Sequence, residues 1–227
     1  MSSDSPDHQY SGDAAPPREP AIRSPWPALA IAGAIVVLYA VQSVALPIDT
    51  AARSFGFSRA DLEAGRWTGL VTALFVHGGW AHAILNALGA LAFGAPVARL
   101  FGKRAAGVFA FFVFYLLCGA LSSLGFAAVH PDGSAPLVGA SGAVSGLMGA
   151  ASRLIDRPEG GLSPFTNSRV VSMAAAWIVI NVVVGVVGLN IVGDAPIAWE
   201  AHLAGYAAGL FLLAPFVWAL KGMRGRT

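Results

Sequence analysis

The sequence predicts an all-α membrane protein, a bundle of six transmembrane helices with a short fourth helix and a long interfacial first loop. Three observations lead to this prediction. Hydrophobic residues make up 56% of the 227 residues, and the mean hydropathy is +0.66. Charged residues make up only 11%, against about 25% in a typical soluble domain. The apolar residues also fall into long runs, so we expect an integral membrane protein and exclude a soluble globular one.

Six apolar runs are candidates for the helices of this bundle. In chain order they are Trp26–Pro47, Trp80–Ala98, Ala105–Val129, Gly139–Ala151, Val170–Leu189 and Ala198–Leu220. A helix that crosses the bilayer needs about 20 apolar residues. Five runs meet this length, whereas the fourth run is too short, because a polar stretch precedes it and Arg153 follows it. We therefore predict that the fourth helix starts below the membrane surface.

The remaining segments divide into one long loop and two tails. The first loop, about Ile48–Gly79, carries aromatic and apolar residues among few charges, a pattern typical of a segment that lies in the membrane interface. Residues 1–24 are polar and rich in proline, which predicts a disordered cytoplasmic tail and does not resemble a cleaved signal peptide. Residues 25–220 form the predicted transmembrane domain, and residues 221–227 form a basic cytoplasmic tail.

The distribution of Lys and Arg predicts the orientation of the bundle. Eleven of the 14 basic residues lie in segments on one side of the predicted spans. The other three are Arg53, Arg59 and Arg66 in the first loop. Because basic residues concentrate on the cytoplasmic side, we expect both termini in the cytoplasm. We expect the chain to be a multi-pass protein of the bacterial inner (plasma) membrane, with the lipid bilayer as its surroundings.

Charge, cysteine content and repeats exclude several other classes of function. The net charge of +2 is too small to suggest a nucleic-acid partner. The single cysteine, Cys118, cannot form an internal disulfide. Neither a tandem nor an inverted repeat is evident, which argues against a transporter.

Polar side chains inside membrane spans are costly and usually face a partner or a water-filled cavity. The informative ones here are His77, His82, Asn86, Ser141 and His202. His82 and Asn86 are four residues apart and share one helix face. Ser141 is twelve residues from Arg153, and Asn86 is thirteen residues from Arg99. At 1.5 Å per residue, they lie roughly 18 Å and 20 Å from these basic residues at the cytoplasmic ends of their helices, in a hydrocarbon core about 30 Å thick. His202 lies about 12 Å below the outer loop by the same rise, so the three groups share one level.

Small residues flank the serine and the histidine at helical spacing. They are Gly142, Gly146 and Gly149 in the fourth helix, and Ala198, Gly205 and Gly209 in the sixth. Such stripes let membrane helices pack backbone to backbone, and taken alone they indicate only packing. A serine becomes a nucleophile when a base lies within about 2.6–3.2 Å, a distance that small neighbours permit.

Three short motifs occur in the order and on the spans expected of one known family. They are His77, His82 and Asn86 with a Gly-Gly-Trp turn, Gly139-Ala140-Ser141-Gly142 at the start of the short helix, and Ala201-His202 followed by Gly205 and Gly209 in the last span. Together they resemble the rhomboid intramembrane serine proteases over about Ala60–Leu220. The resemblance implies a six-helix rhomboid-like bundle and substrates that are transmembrane proteins, cut in or near a helix at small residues.

The resemblance also implies a role for each polar residue. Ser141 is the expected nucleophile and His202 the general base, acting as a dyad without a cofactor or metal. His82, Asn86 and the backbone N–H of Ser141 are expected to form the oxyanion hole. His77 is similar to the family histidine that braces the first loop. Structural residues near the site are His77, Gly139, Gly142 and Gly205.

Two positions depart from the family pattern. The family often has a Trp-Arg pair in the first loop, whereas here Arg66 precedes Trp67. Some members have an aromatic residue against the histidine one turn after the serine, where this chain has Ser145. The imidazole is therefore expected to be oriented by other contacts. The nearby Glu200 points about 200° away from His202 on an ideal helix, so it is not expected to complete a triad.

Two other readings remain open on the sequence. A catalytically silent rhomboid-like protein would bind membrane helices without cutting them, although the intact serine and histidine argue against this. A zinc protease could use His77, His82 and His202, but the chain lacks the His-Glu-x-x-His pattern that such enzymes carry on a helix.

Overall fold

A computed structural model describes residues 24–131, 133, 135–156, 161–187 and 197–224. In these residues the secondary structure is helical, apart from an isolated antiparallel bridge between Phe57 and Leu137. The helices are α1 (Trp26–Ala45), α2 (Ile48–Phe55), α3 (Arg59–Glu63), α4 (Gly69–Thr72), a 3₁₀ turn (Ala73–Phe75), α5 (Trp80–Phe101), α6 (Ala105–Val129), α7 (Ser141–Ser152), α8 (Ser168–Val187) and α9 (Trp199–Arg224). The predicted all-α architecture is confirmed.

Five of the helices are long and apolar enough to cross a membrane: α1, α5, α6, α8 and α9. Helix α7 has 12 residues, which span about 18 Å at 1.5 Å per residue. That is shorter than the roughly 30 Å hydrocarbon core of a bilayer. The described residues thus contain five candidate spans and, as predicted, a short helix between the third and the fourth of them.

The ends of the spans differ from the predicted ends by a few residues. The first run was expected to reach Pro47, but α1 ends at Ala45. Leu46 is extended (φ −141°, ψ 134°), as is usual for a residue before proline, because the proline ring disfavours the helical conformation there. Helix α9 continues to Arg224, beyond Leu220, where the last predicted span ends.

The two predicted tails lie mostly outside the described residues. Of the tail over residues 1–24 only residue 24 is described, and residues 225–227 of the second tail are not described.

Helix α7 lies at the centre of the bundle and packs against α5, α6 and most extensively α9. Ala143, Leu147 and Ala150 on α7 are fully buried. A Cβ on Gly205 of α9 would overlap the carbonyl oxygen of Gly142 on α7. The stripes of small residues therefore bring the backbones of α7 and α9 into direct contact, as their spacing predicts.

Helix α8 lies at the edge of the bundle. Its main neighbour is α9, and it has only a slight contact with α7. The buried side chains on α8 are Val170 and Asn181, whereas most of its valines and isoleucines are exposed, as expected for a helix in contact with lipid.

The first loop folds into short helices that contact α1 and α6. Phe57, within this loop, is fully buried, and its backbone exchanges hydrogen bonds of 2.9 and 2.7 Å with the backbone of Leu137. Arg59 donates to the carbonyl of Ala127 near the end of α6 at 2.9 Å. The loop is thus joined to the segment that leads into α7 and to the end of α6.

The rearranged Arg66-Trp67 pair is accommodated inside this loop. The guanidinium of Arg66 donates to the carboxylate of Asp61, and the Ser58 hydroxyl donates to the same carboxylate at 2.8 Å. These hydrogen bonds hold the pKa of Asp61 below its ordinary value. Trp67 itself is 64% exposed, so the arginine braces the loop through Asp61 while the tryptophan faces outward.

Candidate active site

Ser141 and His202 form a hydrogen-bonded pair. Ser141 is the first residue of α7, and its Oγ lies 2.8 Å from Nε2 of His202 on α9. Both side chains are half-buried. The contact between Gly142 and Gly205 brings the two helices close at this level, so the pair depends on the two glycine stripes. The distance lies within the range in which a base can activate a serine hydroxyl.

The backbone before Ser141 is held in a fixed conformation. The N–H of Gly139 donates to the carbonyl of Ala73 at 2.9 Å, and the N–H of Ala140 donates to Nε2 of His77 at 3.4 Å. Gly139 has a φ of +115°, which side chains disfavour. The first hydrogen bond of α7 runs from Val144 to Ala140. The N–H of Ser141 precedes it and is one of the helix-end donors that has no acceptor within the helix.

His82 turns one ring nitrogen towards this segment. Its Nδ1 accepts a hydrogen bond from the N–H of Gly78 at 3.3 Å. In the neutral ring the proton therefore resides on Nε2. A Cβ on Gly139 would lie 2.6 Å from that Nε2. His82 thus presents an N–H donor to the backbone two residues before Ser141, and only a glycine leaves room for it.

Asn86 and His77 form hydrogen bonds with residues next to the site. Asn86 is 5% exposed, and its Nδ2 donates to the carbonyl of His82 at 2.9 Å, which leaves the second N–H of the amide for another acceptor. His77 is fully buried, and its backbone exchanges hydrogen bonds of 2.8 and 3.1 Å with the side chain of Gln42 on α1. His77 thereby links α1, the first loop and the start of α7.

The second ring nitrogen of His202 also has a partner. Its Nδ1 lies 2.8 Å from Oδ1 of Asn181 on α8. The Nδ2 of Asn181 donates to the carbonyl of Trp177 at 2.9 Å, and the Trp177 ring lies 6.2 Å from the imidazole. Asn181 is absent from the site residues predicted from the sequence. A lone amide in an otherwise apolar span is the signal that could have identified it.

Two neighbours of the dyad are engaged elsewhere. The hydroxyl of Ser145 donates to the carbonyl of Ser141 at 2.7 Å, and the Ser145 side chain is buried. Glu200 lies 3.1 Å from Nε2 of His130. The orientation of His202 therefore depends on Asn181 and Trp177, in place of an aromatic residue at position 145.

The arrangement is suited to nucleophilic chemistry at a carbonyl group. A hydroxyl is hydrogen-bonded to an imidazole, and Nε2 of His82 faces the backbone of Gly139, two residues before that hydroxyl. Both nitrogens of His202 are engaged by Ser141 and Asn181. Within the part of the chain that the structure describes, no group of three His, Cys, Asp or Glu side chains could hold a metal ion.

Comparison with known proteins identifies the family. The model of the rhomboid domain family matches residues 64–219, a range that contains Ser141, His202, His82, Asn86 and His77. The chain belongs to the rhomboid family. It is also 30% identical to RHOMBOID-like protein 5 of Arabidopsis thaliana over 152 residues, which are 66% of this chain. This chain matches 44% of the length of that rhomboid relative.

Proposed function

We propose that this rhomboid is an intramembrane serine endopeptidase that cleaves transmembrane proteins through an acyl-enzyme. The observation that carries the proposal is the 2.8 Å contact between Ser141 Oγ and His202 Nε2. Membership of the rhomboid family and the five apolar helices support a substrate that lies in the membrane.

The steps follow from the positions of the side chains. His202 accepts the hydroxyl proton as Ser141 Oγ attacks a peptide carbonyl, and it then gives that proton to the leaving amine. The acyl-enzyme that remains is hydrolysed when His202 removes a proton from a water molecule that attacks the ester; the bond to Ser141 Oγ then breaks, and His202 returns the proton to that oxygen as the carboxyl product leaves. The N–H groups of Ser141 and His82, with the amide of Asn86, stabilise the negative charge on the carbonyl oxygen.

Cleavage of a membrane-spanning reporter tests this proposal against a silent binding protein. Purified protein is incubated with a single-span reporter protein in detergent or vesicles, beside Ser141→Ala as the control. We expect cleavage by the wild type alone. Binding of the reporter without cleavage by the wild type would instead favour the silent rhomboid-like protein.

Removing one oxyanion donor should reduce the rate with little effect on folding. In soluble serine proteases the loss of one such donor reduces kcat by roughly 10²–10³. We expect His82→Ala and Asn86→Ala each to lower the rate of reporter cleavage, by up to roughly this factor. Expression and thermal unfolding should stay close to wild type. If both variants keep full activity, the oxyanion assignment is wrong.

The orientation in the membrane is part of the same proposal. We propose that α7 is the fourth of six helices in the bundle, that it starts below the outer membrane surface, and that both termini lie on the cytoplasmic side of a bacterial inner (plasma) membrane. The 11 basic residues assigned to that side support it. A reporter enzyme fused after Thr227 should be active if it works in the cytoplasm and inactive if it requires export. The reverse result would overturn this topology.

A further inference from the structure

We propose that Asn181 is a positioning residue that fixes the tautomer of His202, so that Nε2 is free to accept the proton of Ser141. The proposal rests on the proposed function and deepens it. The base would then be oriented by a neutral amide on α8, a helix that contributes no other polar group to the dyad among the described residues.

The hydrogen bonds of Asn181 determine which atom faces the imidazole. Its Nδ2 donates to the carbonyl of Trp177 at 2.9 Å, four residues earlier on α8. A carbonyl accepts but does not donate. The amide nitrogen must therefore face Trp177, and the amide oxygen must face His202.

This orientation then determines where the imidazole proton resides. Oδ1 of Asn181 lies 2.8 Å from Nδ1 of His202. An amide oxygen is only an acceptor, so Nδ1 must carry the proton. The neutral ring has a single N–H, and Nε2 therefore has the lone pair that faces Ser141 Oγ at 2.8 Å. The opposite tautomer would place two acceptors against each other at Nδ1.

The burial of the Asn181 side chain favours its hydrogen bond with His202 over other orientations of the amide. Asn181 is 3% exposed on a helix whose other side chains mostly face outward. A buried amide without a partner is costly in an apolar setting, so the pairing with His202 is favoured over rotation of the amide. The Trp177 ring lies 6.2 Å from the imidazole, at an interplanar angle of 35°. With Ser145 bonded to the backbone of its own helix, these two α8 side chains orient the imidazole.

A purely structural role is the competing explanation, because a buried amide also joins neighbouring membrane helices. A positioning role and a structural role of Asn181 predict different activities and stabilities for substituted proteins. Asn181→Leu keeps much of the volume and removes the acceptor, whereas Asn181→Asp keeps an acceptor oxygen. Val183→Leu changes an exposed residue on the same helix and serves as the matched control.

The first measurement is kinetic. We expect Asn181→Leu to slow labelling by a fluorophosphonate, and to lower kcat for the reporter, by up to about 100-fold, the scale of rate loss when a reacting group is misplaced by about 1 Å. KM and the thermal unfolding midpoint should stay close to wild type. Asn181→Asp should recover much of the rate, and Val183→Leu should match wild type. Full-rate labelling in Asn181→Leu, or a loss explained by unfolding, would overturn the positioning role.

The second measurement does not depend on activity. In protein with ¹⁵N-labelled histidine, the His202 signals are identified by their loss in His202→Gln, and their shifts report which nitrogen carries the proton. We expect the Nδ1–H tautomer in the wild type at neutral pH. An Nε2–H tautomer would overturn the inference even if the protein is an active protease. An Nδ1–H tautomer in a protein that neither labels nor cleaves would support the geometry and refute the proposed function.

Discussion

Ser141→Ala abolishes both reporter cleavage and fluorophosphonate labelling, if Ser141 is the nucleophile. The substitution removes the Oγ that lies 2.8 Å from His202 Nε2. Loss of a catalytic serine in a soluble serine protease reduces kcat by about 10⁶-fold, which in this assay means no detectable product. The labelling measurement uses purified protein and a fluorophosphonate with a fluorescent group, followed by gel electrophoresis.

Ser145→Ala is the matched control for this experiment. Ser145 lies one turn further along α7, and its hydroxyl donates to the carbonyl of Ser141 instead of pairing with His202. Its Oγ is therefore not positioned for attack. We expect Ser145→Ala to keep substantial cleavage and labelling. Labelling that disappears in Ser145→Ala and persists in Ser141→Ala would show that the nucleophile is assigned wrongly.

Gly209→Ala should destabilise the protein and separate the dyad. A Cβ at this position would overlap the carbonyl oxygen of Gly146 on α7, and backbone atoms cannot rotate away as a side chain can. An extra methyl or methylene in a well-packed core costs about 1–3 kcal/mol, and we expect the upper end of this range or more. The thermal unfolding midpoint in detergent should fall by about 5 °C or more. Cleavage should fall too, because α7 carries the proposed nucleophile Ser141 and α9 carries the proposed base His202.

Gly222→Ala tests whether this effect is specific to the interface. Gly222 lies on the same helix, and a Cβ there would meet no atom within 4 Å. Alanine has a higher helix propensity than glycine by up to about 1 kcal/mol. Gly222→Ala should therefore unfold at the wild-type temperature or slightly above it. Equal destabilisation by both substitutions would contradict the proposed packing.

The sequence was sufficient for the fold class, and it predicted the contact between Ser141 and His202. Composition and the lengths of the apolar runs predicted a helical membrane protein, because the bilayer core imposes a minimum length on each spanning helix. The short fourth helix followed from Arg153 and the polar stretch before Gly139. The pairing of Ser141 with His202 was predicted from the glycine stripes, which show as helical spacing in the sequence, and from motifs that resemble the rhomboid family.

Contacts between distant parts of the chain required the tertiary structure. Asn181 precedes His202 by 21 residues, on a different helix, and no local spacing shows that an amide in a valine-rich span faces that imidazole. The pairing of Glu200 with His130, and of Gln42 with His77, likewise depends on how helices and loops pack. Periodicity assigns a residue to a face of its helix, but the rotation and approach of neighbouring helices determine what that face contacts. The tautomer of His202 is therefore a property of the packed bundle.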